Sequence, residues 1–131
     1  MKRQLPTEAE YAKAAELRLA LRKFLRRSEE VTRAHGLTPH RYQLLLQIRA
    51  SNGRATVGGL AAALQLGQSN VTQRIRRLEN AGLVRRELSK EDARVRYLRL
   101  TAKGDRRLAG AVAELAEDRD ELVAILSGLR A

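Results

Sequence analysis

The stretch Gln68-Ser69-Asn70-Val71-Thr72-Gln73-Arg74-Ile75-Arg76-Arg77-Leu78-Glu79-Asn80-Ala81-Gly82-Leu83-Val84-Arg85-Arg86-Glu87-Leu88 decides the fold, because its hydrophobic period changes partway along. At about 100° per residue, Val71, Ile75 and Leu78 fall in one narrow sector, as on a helix with a single buried face. A helix is expected over residues 69–80, closed by Ala81-Gly82. Gly67 offers no side chain, so the N-cap is expected to pass to Ser69. Beyond Gly82 the period is two. Residues 83–88 and 94–100 read as strands, with Ser89-Lys90-Glu91-Asp92-Ala93 as the polar turn between them.

The sector opposite Val71, Ile75 and Leu78 holds Ser69, Gln73, Arg76 and Asn80, flanked by Asn70, Thr72 and Arg77. No carboxylate interrupts it before Glu79. Gln or Asn can pair with adenine and Arg with guanine, so this face suits the major groove of double-stranded DNA. An ordinary solvated helix face is the alternative, although such faces usually mix in acidic residues.

Working outward, residues 57–66 form a short preceding segment. Thr38-Pro39 opens an earlier helix with Pro at its first position. Tyr42, Leu45, Leu46 and Ile48 give that helix its apolar side, and Ser51-Asn52-Gly53 stops it. Thr7-Glu8-Ala9-Glu10 has the form of a capping box. After it Tyr11, Ala14, Leu17, Leu21, Phe24, Leu25, Ser28 and Val31 recur at helical steps until Gly36 ends the run. Downstream, Thr101 begins a helical stretch with Leu108, Val112, Leu115, Leu122, Ile125, Leu126 and Leu129, and a break is expected at Asp118-Arg119-Asp120. Two short helices joined by a tight turn and followed at once by a hairpin are the layout of a winged helix-turn-helix. The expected fold class is therefore mainly α with a small β-hairpin wing.

Charge agrees with that reading. The 131 residues carry a formal net charge of +11. Residues 36–100 hold 12 basic and 4 acidic side chains, whereas residues 101–131 hold 5 and 6. A field concentrated mid-chain attracts a polyanion by counterion release. Solubility or anionic-membrane binding is the blander account of the same charge. The absence of cysteine excludes a disulfide framework and a thiolate zinc site. Met1-Lys2-Arg3-Gln4-Leu5-Pro6 leads into no uninterrupted apolar run, so neither a signal peptide nor a membrane span is expected, and the cytoplasm is the expected location.

No catalytic or cofactor chemistry is expected. His35 and His40 lie at a helix end and a helix start without a carboxylate cluster, so no metal site is read from them. Glu91 and Asp92 sit in a basic, exposed turn that offers no burial to raise a pKa. There is no phosphate-cradling glycine loop and no nucleophile elbow.

Leu60-Ala61, Leu64, Leu66-Gly67-Gln68-Ser69-Asn70-Val71-Thr72 and Arg77-Leu78-Glu79-Asn80-Ala81-Gly82-Leu83-Val84-Arg85-Arg86 together resemble the MarR family of bacterial regulators. Asp92-Ala93-Arg94 with Leu98-Arg99-Leu100-Thr101-Ala102-Lys103-Gly104 is similar to that family's D-x-R and LTxxG signatures, and His35-Gly36-Leu37-Thr38-Pro39 to its junction between the first two helices. Gly58-Gly59 departs from the pattern, each glycine costing roughly 0.5–1 kcal/mol relative to Ala.

The resemblance implies a single domain over residues 1–131 that works as a homodimeric repressor on a palindromic operator. Residues 8–35 and 101–131 would supply the dimerisation helices, and residues 38–100 the DNA-binding lobe with its wing at 83–100. Gln68, Ser69, Asn70, Thr72, Gln73, Arg76 and Arg77 would contact DNA from the helix, and Lys90, Arg94 and Arg96 from the wing, with Arg94 entering the minor groove. Asp92 would position the wing by pairing back to Arg77, or would simply form the turn. A small aromatic effector, if the chain takes one, is expected in a cleft near Arg22, Phe24, His35 and Tyr42, residues that plain core packing explains equally well. The alternative function is a sequence-independent basic module for DNA or RNA, which would usually stack bases on aromatic side chains.

Overall fold

The computed structural model describes residues 4–130; the start of the N-terminal stretch (1–3) and Ala131 lie outside the described residues. Six helices and one hairpin follow in the order α1 (Glu8–Ala34), α2 (Pro39–Ala50), α3 (Val57–Leu64), α4 (Gln68–Asn80), β1 (Val84–Leu88), β2 (Arg96–Leu100), α5 (Ala102–Glu114) and α6 (Ala116–Gly128). No helix among the described residues is long and apolar enough to cross a membrane.

Local chemistry explains most boundaries. Thr7 and Glu10 close a reciprocal capping box on α1. Thr38 caps α2 ahead of Pro39, and Thr56 caps α3 by accepting from Gly59 N–H. Gly36 and Gly82 leave α1 and α4 at φ +76 and +74, a region costly for a side chain with a Cβ. α4 starts one residue earlier than expected, at Gln68. Its N-cap is Gly67, with no side-chain hydrogen bond, so the cap does not pass to Ser69.

The hairpin is antiparallel, pairing Val84 with Leu100 and Leu88 with Arg96, and Ala55 adds an isolated bridge to Leu98. β2 begins at Arg96 rather than at residue 94. Arg94 N–H is spent on the Asp92 carboxylate and Val95 N–H on the Asp92 carbonyl, so the turn keeps both. Arg85 and Arg99 face each other across the strands, a repulsive pairing. Glu87 relieves it, its Oε2 lying 2.8 Å from Arg99 Nε and 3.6 Å from Arg85 Nη1.

The main core joins Leu37, Leu44, Leu45 and Ile48 to Leu60, Val71, Ile75, Leu78, Leu83, Leu98 and Leu108. A second cluster of Val31, Ala111 and Leu115 ties α1 to α5 with Tyr42 packed against it. The last helical run breaks at Leu115, not at Asp118-Arg119-Asp120. Leu115 is pinned in the second cluster. Glu117 and Asp118 then occupy the first turn of α6, where carboxylates are favoured by the helix dipole. The acidic run thus follows the break instead of causing it.

The rotation of α4 can be tested by stability. Ile75 is fully buried and Gln73 is exposed. Ile75→Ala is expected to cost about 2–5 kcal/mol in urea denaturation, whereas Gln73→Ala stays within about 0.5 kcal/mol.

Candidate nucleic-acid interface

α4 is the element on which the candidate site depends. Val71, Ile75 and Leu78 are buried to 0%, 0% and 1% exposure, so the opposite side is held outward. Gln68, Ser69, Asn70, Gln73, Arg76, Arg77 and Asn80 are exposed and Thr72 is half-buried, as the period predicted. The one acid of α4, Glu79, accepts from Arg86 Nε at 3.1 Å. That bond ties the end of α4 to β1 and removes the carboxylate from the outward face.

Asn70 is not free to read a base by itself. Its Oδ1 accepts from Arg74 Nε at 2.6 Å. Arg74 was absent from the expected contacts because at about 100° per residue it falls beside the buried sector. It is half-buried, and Asn70 holds it at the edge of the outward face.

The wing tip is self-braced. Ser89 is buried, and its Oγ accepts from Glu91 and Asp92 N–H, both at 3.2 Å. Asp92 in turn receives Arg94 three times: Nε on Oδ1 at 3.1 Å, Nη2 on Oδ2 at 3.2 Å, and backbone N–H on Oδ1 at 3.0 Å. The expected partner was Arg77. The structure corrects this: the Asp92 carboxylate is taken by Arg94, which lies two residues on and is in reach within the turn itself. Asp92 is thus the turn-forming side chain of the alternative reading. The Arg94 side chain is 90% exposed despite the pair, and Lys90 and Arg96 are exposed beside it. The sequence places Ser89 only as a member of the polar turn; its part as acceptor for two N–H groups shows when the loop closes.

The structure separates two of the four residues expected near an effector. Arg22 lines a groove on α1 with Leu21 and Leu25, and Phe24 a separate one against Leu122 and Ile125. His35 lies 3.2 Å from Glu114, and Tyr42 packs on the Val31 cluster. Burial pushes the Tyr42 phenol above its ordinary pKa, and the nearby Arg119 charge opposes that in part.

A short helix pair followed by a hairpin, with the polar face of the second helix and the hairpin tip both turned to solvent, defines a winged helix-turn-helix protein. Comparison with known proteins agrees. A MarR family model matches residues 35–95. The transcriptional regulator HosA of Escherichia coli O111:H- is 34% identical over 92 residues, covering 70% of this chain and 67% of HosA. Other curated relatives are matched over 52% to 56% of their own length. Among solved structures, the M. tuberculosis transcriptional regulator MOSR in complex with DNA is 29% identical with a TM-score of 0.61, covering 82% of this chain and 77% of that one. AbsC, a MarR family transcriptional regulator from Streptomyces coelicolor, is 26% identical with a TM-score of 0.67, covering 97% and 82%. The chain belongs to the MarR family.

Arg94 holds the Asp92 carboxyl below the usual carboxylate range, first through its side-chain hydrogen bonds and then through its backbone N–H. A lowered pKa means the pair is intact above the ordinary carboxylate range and is lost as pH falls through the lowered value. In an NMR titration, Arg94→Ala is expected to move the Asp92 midpoint upward. An unmoved midpoint contradicts the pairing.

Proposed function

We propose that this chain is a transcription regulator that binds a palindromic operator as a homodimer and represses by occupying it. The observation that carries the proposal is the outward face of α4, which is polar and cationic because its opposite face is sealed in the core. Ser69, Gln73 and Arg76 lie on the side of α4 away from the core and read base edges in the major groove. Gln68, Asn70, Thr72, Arg74 and Arg77 flank them and hold phosphates. Arg94 enters the adjacent minor groove, where phosphates concentrate negative potential, and Lys90 and Arg96 support it from the wing. The relatives support this reading, since HosA is named a transcriptional regulator and MOSR was solved with DNA.

Two copies are favoured by the apolar side chains left uncovered on α1 and α6. Tyr11, Leu17, Leu19 and Leu25 are exposed on α1, and Val123 is 56% exposed on α6. A second chain laid on these helices would bury them.

Competition tests the proposal. Labelled duplex selected by the protein from a random pool is challenged with unrelated duplex and with RNA. Displacement is expected to need about a thousandfold more of either competitor. Equal competition would favour the sequence-independent reading instead.

Variants separate the roles. Gln73→Ala is expected to cost roughly 1–3 kcal/mol and to relax preference at one position per half-site. Arg94→Ala weakens all duplexes alike and lowers the slope of log affinity against log salt by about one. Asp92→Ala also weakens binding, because Arg94 loses the group that aims it. A gain in affinity, which plain charge repulsion predicts, would contradict that role.

A further inference from the structure

The stretch Leu100-Thr101-Ala102-Lys103-Gly104 has no place on the proposed DNA surface, yet it is heavily engaged. α4 ends at Asn80, and its exit turn runs through Ala81, Gly82 and Leu83. The start of α5 folds back on that turn and takes all three of its carbonyls. Lys103 Nζ donates to Ala81 O at 3.0 Å, Thr101 Oγ1 to Gly82 O at 2.6 Å, and Thr101 N–H to Leu83 O at 3.0 Å. Gly104 is buried against the same turn, where a Cβ would strike the Leu83 carbonyl oxygen. No other residue fits at that approach.

The charge placement has a direction. A lysine in the first turn of α5 opposes the dipole of its own helix, and its ammonium instead sits at the C-terminal end of α4, where a cation is favoured. Lys103 is thus on the wrong end of one helix and the right end of the other. Farther along α5, Leu108 enters the main core, and Ala111 and Leu115 pack on Val31 of α1. One helix therefore joins the end of α4 to the layer that carries the uncovered apolar side chains.

We infer that Thr101, Lys103 and Gly104 are positioning residues that lock α4 to α5 and thereby set the separation of the two α4 helices in the dimer. The inference rests on the two-copy reading above. It predicts that the clamp controls spacing preference, a property that mere stability of the fold does not change.

The test uses the full chain and duplexes carrying the selected half-sites, with the spacing optimal or altered by one and two base pairs in either direction. The wild type is expected to show a sharp optimum, with half-sites about 10 base pairs apart. Lys103→Met binds the optimal duplex about tenfold more weakly, the worth of a charge-assisted hydrogen bond. Its profile across spacings is flattened, and Lys103→Arg, which keeps a cationic donor, restores the optimum. Gly104→Ala flattens the profile further where circular dichroism shows it folded; if it does not fold, Lys103→Met decides. A sharp wild-type optimum with a parallel Lys103→Met profile overturns the clamp alone. A wild type indifferent to spacing overturns the two-copy reading and the clamp with it.

Discussion

The burial of Val71, Ile75 and Leu78 is the constraint on which the rest of the domain depends. Each residue along a helix advances the direction of its side chain by about 100°, so three fixed apolar positions leave no freedom of rotation. Turning α4 by one residue either way would push Arg74 or Arg76 into the core and lift Ile75 out of it. Burying an unpartnered amide or guanidinium costs several kcal/mol, which no gain on the outer face offsets. The polar side is therefore presented as a consequence of packing. The exit of α4 is fixed in the same way, because Leu83 and Leu98 enter the same core and Leu83 N–H bonds back to Leu78 O.

The second constraint is electrostatic. Within residues 36–100 the acidic side chains are Glu79, Glu87, Glu91 and Asp92. Glu79 is taken by Arg86, Glu87 by Arg85 and Arg99, and Asp92 by Arg94. Each pair joins neighbouring parts of the helix, sheet or turn, so most carboxylates of the lobe brace its frame. Exposed pairs like these contribute little to stability. Their effect is on aim: Glu79 is drawn off the face of α4, and Arg94 is held in one direction while staying in solvent. The outward arginines of α4 are left with no acid among them.

Sequence was most informative where structure is set by near neighbours. The Thr7 capping box, Thr38 before Pro39, the Gly36 and Gly82 exits and the buried sector of α4 all depend on residues within a turn of one another. It was least informative where a choice of partner is made in space. In the sequence Asp92 can be paired with an arginine two residues on or with one on α4, and only the closed turn selects Arg94. Arg74 reads as an interior flank until Asn70 is seen to hold it. The break at Leu115 depends on a cluster built from α1 and α5, which the nearby Asp118-Arg119-Asp120 does not reveal. Likewise Arg22 and Phe24 are near in sequence but line separate grooves.

The central claim is that the outward face of α4 lies against base edges while the wing tip lies outside them. The chain contains no cysteine, so one introduced thiol can carry a DNA-cleaving chelate at a single place. Gln73→Cys and Ala93→Cys, each labelled and bound to the selected duplex, map the two elements independently. The account predicts cleavage centred within each half-site from residue 73, and cleavage displaced to the flanking minor groove from residue 93. Cutting from residue 73 only outside the half-sites, or the same pattern from both positions, would contradict it.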